Sequence, residues 1–207
     1  GAPSCVCYPP AMRFPTILAS DGSANDPGKR PVYRWSGATG RITRFADGRG
    51  LVAALCAGRF AEPVLLAADV PFGFPAAFAE VYQEHGGFLQ WLHARGESDA
   101  DWARLVVKSV YEQSPTSPFV TCRAGERKAA GRFPLRRCDA LTGAESVFWC
   151  VGGKQVGKAA LQFWRETLLP LRKHFGQRLA VAIRGRGQCR RRRGGVLPGD
   201  ALRARVG

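Results

Sequence analysis

PTILAS at residues 15–20 and PVLLAA at residues 63–68 are two short, mostly apolar segments, and an aspartate follows each of them at once, Asp21 and Asp69. Both segments have the length of a β-strand. The second is apolar at every position, which is typical of a central strand covered on both faces. These two segments therefore predict neighbouring strands at the centre of a sheet, each ending at a carboxylate.

The sequence between these two segments predicts how they meet. Residues 31–35 (PVYRW) and 41–45 (RITRF) are rich in β-branched and aromatic residues and are separated by turn formers, which favours consecutive antiparallel hairpins. Residues 51–60 have helical composition, and a helix at this point permits a crossover that brings the fourth strand beside the first. With residues 179–183 (LAVAI) as a further strand, we expect an α/β fold: a mixed sheet of about five strands with helices on both faces.

Helical composition continues through the second half of the chain. In the segment 99–111, apolar residues at helical spacing predict one core-facing stripe. Pro170 interrupts the longest helical pattern. The predicted helices cover residues 76–83, 88–93, 99–111 and 157–175.

Charge and composition divide the chain into three parts. We expect residues 1–13 to be a disordered leader, residues 14–183 to be one domain, and residues 184–207 to be a tail rich in Arg and Gly that is aberrant or truncated. The net charge is +15, and the last 24 residues contribute eight arginines against one acidic residue. Such a basic chain favours phosphate-bearing partners, nucleic acid above all, although a solvated tail without a partner is the alternative. No apolar run is long enough to cross a membrane, and we expect a cytoplasmic protein.

The first candidate site is the pair Asp21 and Asp69. If their strands are parallel neighbours, the two carboxylates converge at one edge of the sheet, where open α/β sheets bind ligands. Close carboxylates repel each other unless a cation or a proton lies between them, and Mg²⁺ or Mn²⁺ with oxygen ligands would remove that repulsion. The alternative is that each aspartate only caps a turn or a helix.

The second candidate site is the segment GGKQVGKA at residues 152–159. It nearly matches the glycine-rich loop that holds phosphates, and it precedes a predicted helix. The position after the final lysine is alanine, which lacks the hydroxyl that would hold Mg²⁺. We therefore expect a phosphate-contact surface, or else a plain glycine turn, made by Gly153, Lys154, Gln155, Gly157 and Lys158.

Two further residues carry possible chemistry. Asp139, in the sequence RRCD, could be a third catalytic carboxylate, or it could pair with a neighbouring arginine. Cys150 follows an apolar run, which indicates a buried thiol and not a nucleophile.

A family resemblance follows from longer stretches of the chain. VLLAADVPFGFP at residues 64–75, RRCDALTGAESVFWCVGGKQVGKAAL at residues 136–161 and the Trp164-Arg165 pair resemble an uncharacterised bacterial family of predicted nucleases. The resemblance covers roughly residues 14–183. It implies a ribonuclease-H-like fold and an acidic site at Asp21 and Asp69. It leaves Asp139, Gln155 and Lys158 as motif positions of unknown role.

The resemblance fails after residue 183, where an Arg/Gly run replaces the expected last strand and its acidic motif. Three hypotheses follow. The protein is a divalent-metal-dependent nuclease or phosphodiester hydrolase, a non-catalytic protein that binds nucleic acid or nucleotides, or an inactive degenerate copy.

Overall fold

A computed structural model describes residues 14–21, 30–81, 87–121, 135–151, 155–181 and 202–204. These residues form a mixed α/β structure around a six-stranded sheet. The strands of this sheet are β1 (Thr16–Ser20), β2 (Pro31–Ser36), β3 (Ile42–Asp47), β4 (Val64–Ala68), β7 (Leu179–Val181) and β8 (Leu202–Ala204). Their order across the sheet is β3-β2-β1-β4-β8-β7.

The predicted centre of the sheet is confirmed. Strands β1, β2 and β3 are consecutive antiparallel neighbours, and β4 pairs with β1 in parallel. The register joins Thr16 to Val64 at one end and Ser20 to Ala68 at the other. The connection between β3 and β4 contains a helix, α1 (Gly48–Cys56), as the predicted crossover requires.

All of the described α-helices except Arg137–Thr142 contribute residues to a single hydrophobic core together with one face of the sheet. Leu18, Leu66, Leu51 of α1 and Leu171 are each 0% exposed. After α1, the helices are α2 (Ala76–Val81), α3 (Phe88–His93), α4 (Asp99–Ala103), α5 (Arg137–Thr142), α6 (Val156–Phe163) and α7 (Leu169–Phe175).

The opposite face of the sheet differs from the prediction. Ile17, Leu65 and Ala67 are half-buried there, and Ala19 and Tyr33 are exposed. Among the described residues, this face is therefore only partly covered. The small alanines at positions 19 and 67 tolerate such partial exposure.

The predicted helix over residues 157–175 forms with an interruption. The segment Trp164–Leu168, between α6 and α7, is a π-helix. Pro170 lies just beyond it; proline has no backbone N–H, and its ring collides with the carbonyl four residues earlier. A wider π turn accommodates this defect without ending the helix.

The predicted helix over residues 99–111 is wrong beyond Ala103. Its second half contains β5 (Val106–Val107), which pairs in parallel with β6 (Phe119–Val120), and a 3₁₀ turn at Val110–Glu112. The Phe119 N–H donates to the Leu105 carbonyl oxygen at 3.0 Å. Leu105 and Val110 are nevertheless buried, as the predicted helix required. The same apolar side chains therefore face the core in the observed strand and turn.

Part of the predicted tail belongs to the sheet. Strand β8 lies between β4 and β7 and is antiparallel to both. The rest of the tail and the predicted leader, 1–13, lie outside the described residues. No helix in the described ranges is both long and apolar enough to cross a membrane.

Candidate active site

Asp21 and Asp69 follow paired positions at the same end of two parallel strands. Ser20 and Ala68 are register partners, and the Asp69 N–H donates to the Ser20 carbonyl oxygen at 3.2 Å, so the pairing continues past the strand ends. Adjacent strands lie about 4.8 Å apart. Both aspartates are exposed. The structure therefore brings the two predicted residues to one edge of the sheet, as the sequence hypothesis requires.

The loop that follows Asp69 is firmly held. Trp164 Nε1 donates to the Pro71 carbonyl oxygen at 2.8 Å, and Arg136 Nη1 donates to the Phe72 carbonyl oxygen at 3.4 Å. The Phe74 ring packs against five aromatic rings, with centroid distances of 4.7–5.8 Å, and these belong to Phe78, Phe88, Trp91, Phe148 and Trp164. Asp69 is thus carried by a loop whose far end is anchored in the core.

Asp139 is buried and paired with Arg136. Its Oδ2 accepts from the Arg136 Nε at 2.8 Å and from the Arg136 backbone N–H at 3.1 Å, and its Oδ1 accepts from Nη2 at 2.6 Å. The Asp139 side chain is 4% exposed. A carboxylate held in this way caps the start of α5 and supports the loop after Asp69. This geometry favours the alternative that the sequence left open, pairing with an arginine, over a catalytic carboxylate.

The predicted phosphate-contact residues are described in part, because Gly153 and Lys154 lie outside the described residues. The Gly157 N–H donates to the Trp149 carbonyl oxygen at 2.7 Å, so it is already engaged. A Cβ at Gly157 would lie 2.7 Å from the Val147 carbonyl oxygen. The glycine therefore permits a close approach of α6 to the preceding loop. Lys158 is exposed and Gln155 is half-buried at the start of α6, and their role as phosphate contacts stays a prediction.

Cys150 is a buried thiol, as expected. Burial raises the pKa of the Cys150 thiol to about 12, and the nearby Lys158 ammonium only partly opposes that shift. A thiolate is the nucleophilic form, so this side chain is inert near neutral pH.

Asp47 was not singled out from the sequence, although it ends β3 at the same edge of the sheet. Pairing of Asp47 with Pro31 places it there, two strands away from Asp21. Its Oδ1 accepts from the backbone N–H groups of Arg49 at 3.0 Å and Gly50 at 2.9 Å, and the Gly50 hydrogen bond lowers the pKa of the Asp47 carboxyl. Asp before Gly at the start of an apolar helix was the available signal, and it indicates a helix cap.

The sequence also did not reveal an ion pair between Arg30 and Glu166 at this end of the sheet. Arg30 immediately precedes β2, is 1% exposed, and donates from Nη2 to Glu166 Oε2 at 2.8 Å. The pair ties the π-helical segment to the start of β2, next to the end of β1. No local pattern connects residues 136 positions apart, so the sequence could not reveal it.

The arrangement offers two exposed carboxylates to a hard cation. Asp21 and Asp69 would supply oxygen ligands to Mg²⁺ or Mn²⁺, ions that usually keep several waters. Within the described ranges, no group of three or more His, Cys, Asp or Glu residues is placed to hold a metal. Comparisons with family models, curated proteins and solved structures give no match to this chain.

Proposed function

We propose that this protein is a ribonuclease-H-like nuclease or phosphodiester hydrolase that depends on a divalent metal, with Asp21 and Asp69 as the metal-binding catalytic residues. The observation that supports this proposal is the parallel pairing of β1 and β4, which ends in two exposed aspartates at one edge of the sheet. The mixed sheet with β1 and β4 parallel at its centre is the architecture on which this proposal rests. A cytoplasmic location is part of the same proposal.

Mg²⁺ or Mn²⁺ would supply the chemistry that a pair of carboxylates lacks, because a bound metal ion activates water and stabilises a leaving oxygen. The chain would orient the ion through Asp21 at the end of β1 and Asp69 at the start of an anchored loop. The basic charge of the chain, +15, favours a polyanionic substrate. The exposed Lys158 would contact a substrate phosphate.

A cleavage assay tests the proposal. Single-stranded and duplex DNA and RNA are incubated with the protein and Mg²⁺ or Mn²⁺, with EDTA as the negative control. We expect metal-dependent cleavage, and we expect Asp21→Asn or Asp69→Asn to lower its rate at least about 100-fold, more than an outer-shell change does. Asp99→Asn is the matched control, because Asp99 is an exposed aspartate, 83% by side chain, on a different element, α4.

Both aspartates are exposed and asparagine has nearly the same shape, so we expect both variants to fold like the wild type. Circular dichroism and a thermal melt verify this. Cleavage that persists in both variants, or that does not require a metal, would contradict the proposal. Metal-independent binding without cleavage would instead support the non-catalytic binding protein.

A further inference from the structure

One face of the central sheet combines exposed aromatic, small and basic side chains. Register partners share a face, so the pairs Ala19–Tyr33 and Tyr33–Arg44 place these three residues in one row across β1, β2 and β3. The pairs Ile17–Trp35 and Trp35–Ile42 form the neighbouring row. We call these six residues the open face.

The open face is accessible to a partner. Four of the six residues are exposed: Tyr33 (46%), Ile42 (72%), Ala19 and Arg44. Ile17 and Trp35 are half-buried. Ala19 pairs with Ala67 of β4, so small side chains lie beside the Tyr33 ring on the β1 side. A planar ring with a shallow neighbouring surface can stack on a flat partner.

Charge selects the class of that partner. Arg44 lies directly opposite Tyr33, on the same face of the sheet. A surface that offers rings for stacking and an arginine for phosphate suits unpaired nucleotides. Proteins bind single strands through such aromatic platforms with basic groups tracking the backbone.

The open face also leads to the candidate active site. Side chains alternate along a strand, so positions 17, 19 and 21 of β1, and positions 65, 67 and 69 of β4, fall on the same side. Tyr33 of β2 pairs with Ala19 of β1, and Asp21 follows Ala19 by two residues. The spacing between strands and between residues then places the Tyr33 backbone roughly 8 Å from the Asp21 backbone. A single-stranded nucleic acid with a base stacked on Tyr33 would therefore pass close to the carboxylates of Asp21 and Asp69.

We propose that the open face binds single-stranded nucleic acid, with Tyr33 and Trp35 stacking on unpaired bases and Arg44 contacting phosphate. The inference rests on the proposed function only in identifying the bound strand as the substrate. Binding itself requires no metal and no cleavage.

Fluorescence anisotropy with labelled oligo-dT and oligo-U, in EDTA and at one fixed salt concentration, tests the proposal. A hairpin duplex of equal length is the comparison. We expect tighter binding of the single strands. We expect Tyr33→Ala to weaken it about 5- to 150-fold, the range for loss of one base–aromatic stack, and Tyr33→Phe to preserve it.

The chain provides matched controls. Tyr111 is 80% exposed but lies on a 3₁₀ turn outside the central sheet, so Tyr111→Ala should leave the affinity unchanged. Arg44→Ala should weaken binding and reduce the salt dependence of the affinity. The control for this variant is Arg104→Ala, because Arg104 is also exposed, and it should change neither.

Several outcomes would overturn the proposal. Equal affinity of wild type and Tyr33→Ala would do so, as would equal binding of the duplex. Sedimentation showing that the open face joins two copies of this chain, with Tyr33→Ala monomeric and nucleic acid unbound, would also do so. Tyr33-dependent binding without metal-dependent cleavage would uphold this inference and defeat the proposed function; cleavage without Tyr33-dependent binding would do the reverse.

Discussion

Replacing Arg136 by alanine should destabilise the protein strongly, because it removes the partner of a buried carboxylate. The change deletes two charge-assisted hydrogen bonds to Asp139, at 2.8 and 2.6 Å, and the bond to the Phe72 carbonyl oxygen. Each charged hydrogen bond contributes about 1.5–3 kcal/mol. Breaking a buried ion pair on one side costs about 3–5 kcal/mol. We therefore expect the free energy of unfolding to fall by about 3 kcal/mol.

The control is a second aspartate–arginine pair at the same spacing. Arg104 and Asp101 are also three residues apart, but their side chains are 79% and 39% exposed and their closest N–O distance is 3.9 Å. Such a surface pair contributes about 0–1 kcal/mol. Arg104→Ala should therefore have only a small effect on the free energy of unfolding.

Urea denaturation followed by tryptophan fluorescence measures both variants against wild type at pH 7. Arg136→Lys keeps the charge but loses the planar, two-pronged contact, and should fall between wild type and Arg136→Ala. A loss below about 1 kcal/mol for Arg136→Ala, equal to that of Arg104→Ala, would contradict this expectation. It would mean that Asp139 does not depend on this partner and is available for another role.

Two other predictions follow from buried groups near the start of α6. Gly157→Ala should lower the free energy of unfolding by about 1–3 kcal/mol, because the new Cβ would meet the Val147 and Trp149 carbonyl oxygens at 2.7 and 2.9 Å; a gain in stability in a thermal melt, as at an open helical position, would contradict this. Burial raises the pKa of the Cys150 thiol from the ordinary value of 9.0 to about 12, so Cys150 favours folding below pH 9 and loses that contribution as the pH rises toward 12. Cys150→Ala should consequently lose stability less steeply above pH 9 than wild type in urea titrations, and equal slopes would show that the thiol does not carry the effect.

The sequence predicted the elements whose signals are local and strong. The strands at residues 15–20 and 63–68 are recognisable as short, mostly apolar segments with the length of a β-strand. The crossover rule then placed them side by side, and the parallel register that pairs Ser20 with Ala68 confirms this. Asp21 and Asp69 could be brought together in this way without any structure.

What the sequence could not predict depends on distant partners. The apolar residues of the segment 99–111 fit a helix, but pairing with Phe119 turns part of it into a strand. The N–H of Gly157 has a backbone partner, the Trp149 carbonyl oxygen, that a phosphate-loop pattern does not reveal. Likewise the RRCD sequence left Asp139 with two roles, and only the packing around Arg136 distinguishes them.

A crystal structure of the protein with Mn²⁺, with anomalous diffraction used to locate the ion, tests the proposed metal site at Asp21 and Asp69. We expect one or two anomalous peaks at the edge of the sheet, within about 2.0–2.6 Å of a carboxylate oxygen from Asp21 and of one from Asp69. No peak at these residues, or carboxylates turned to opposite faces of the sheet, would show that they do not share a metal ion.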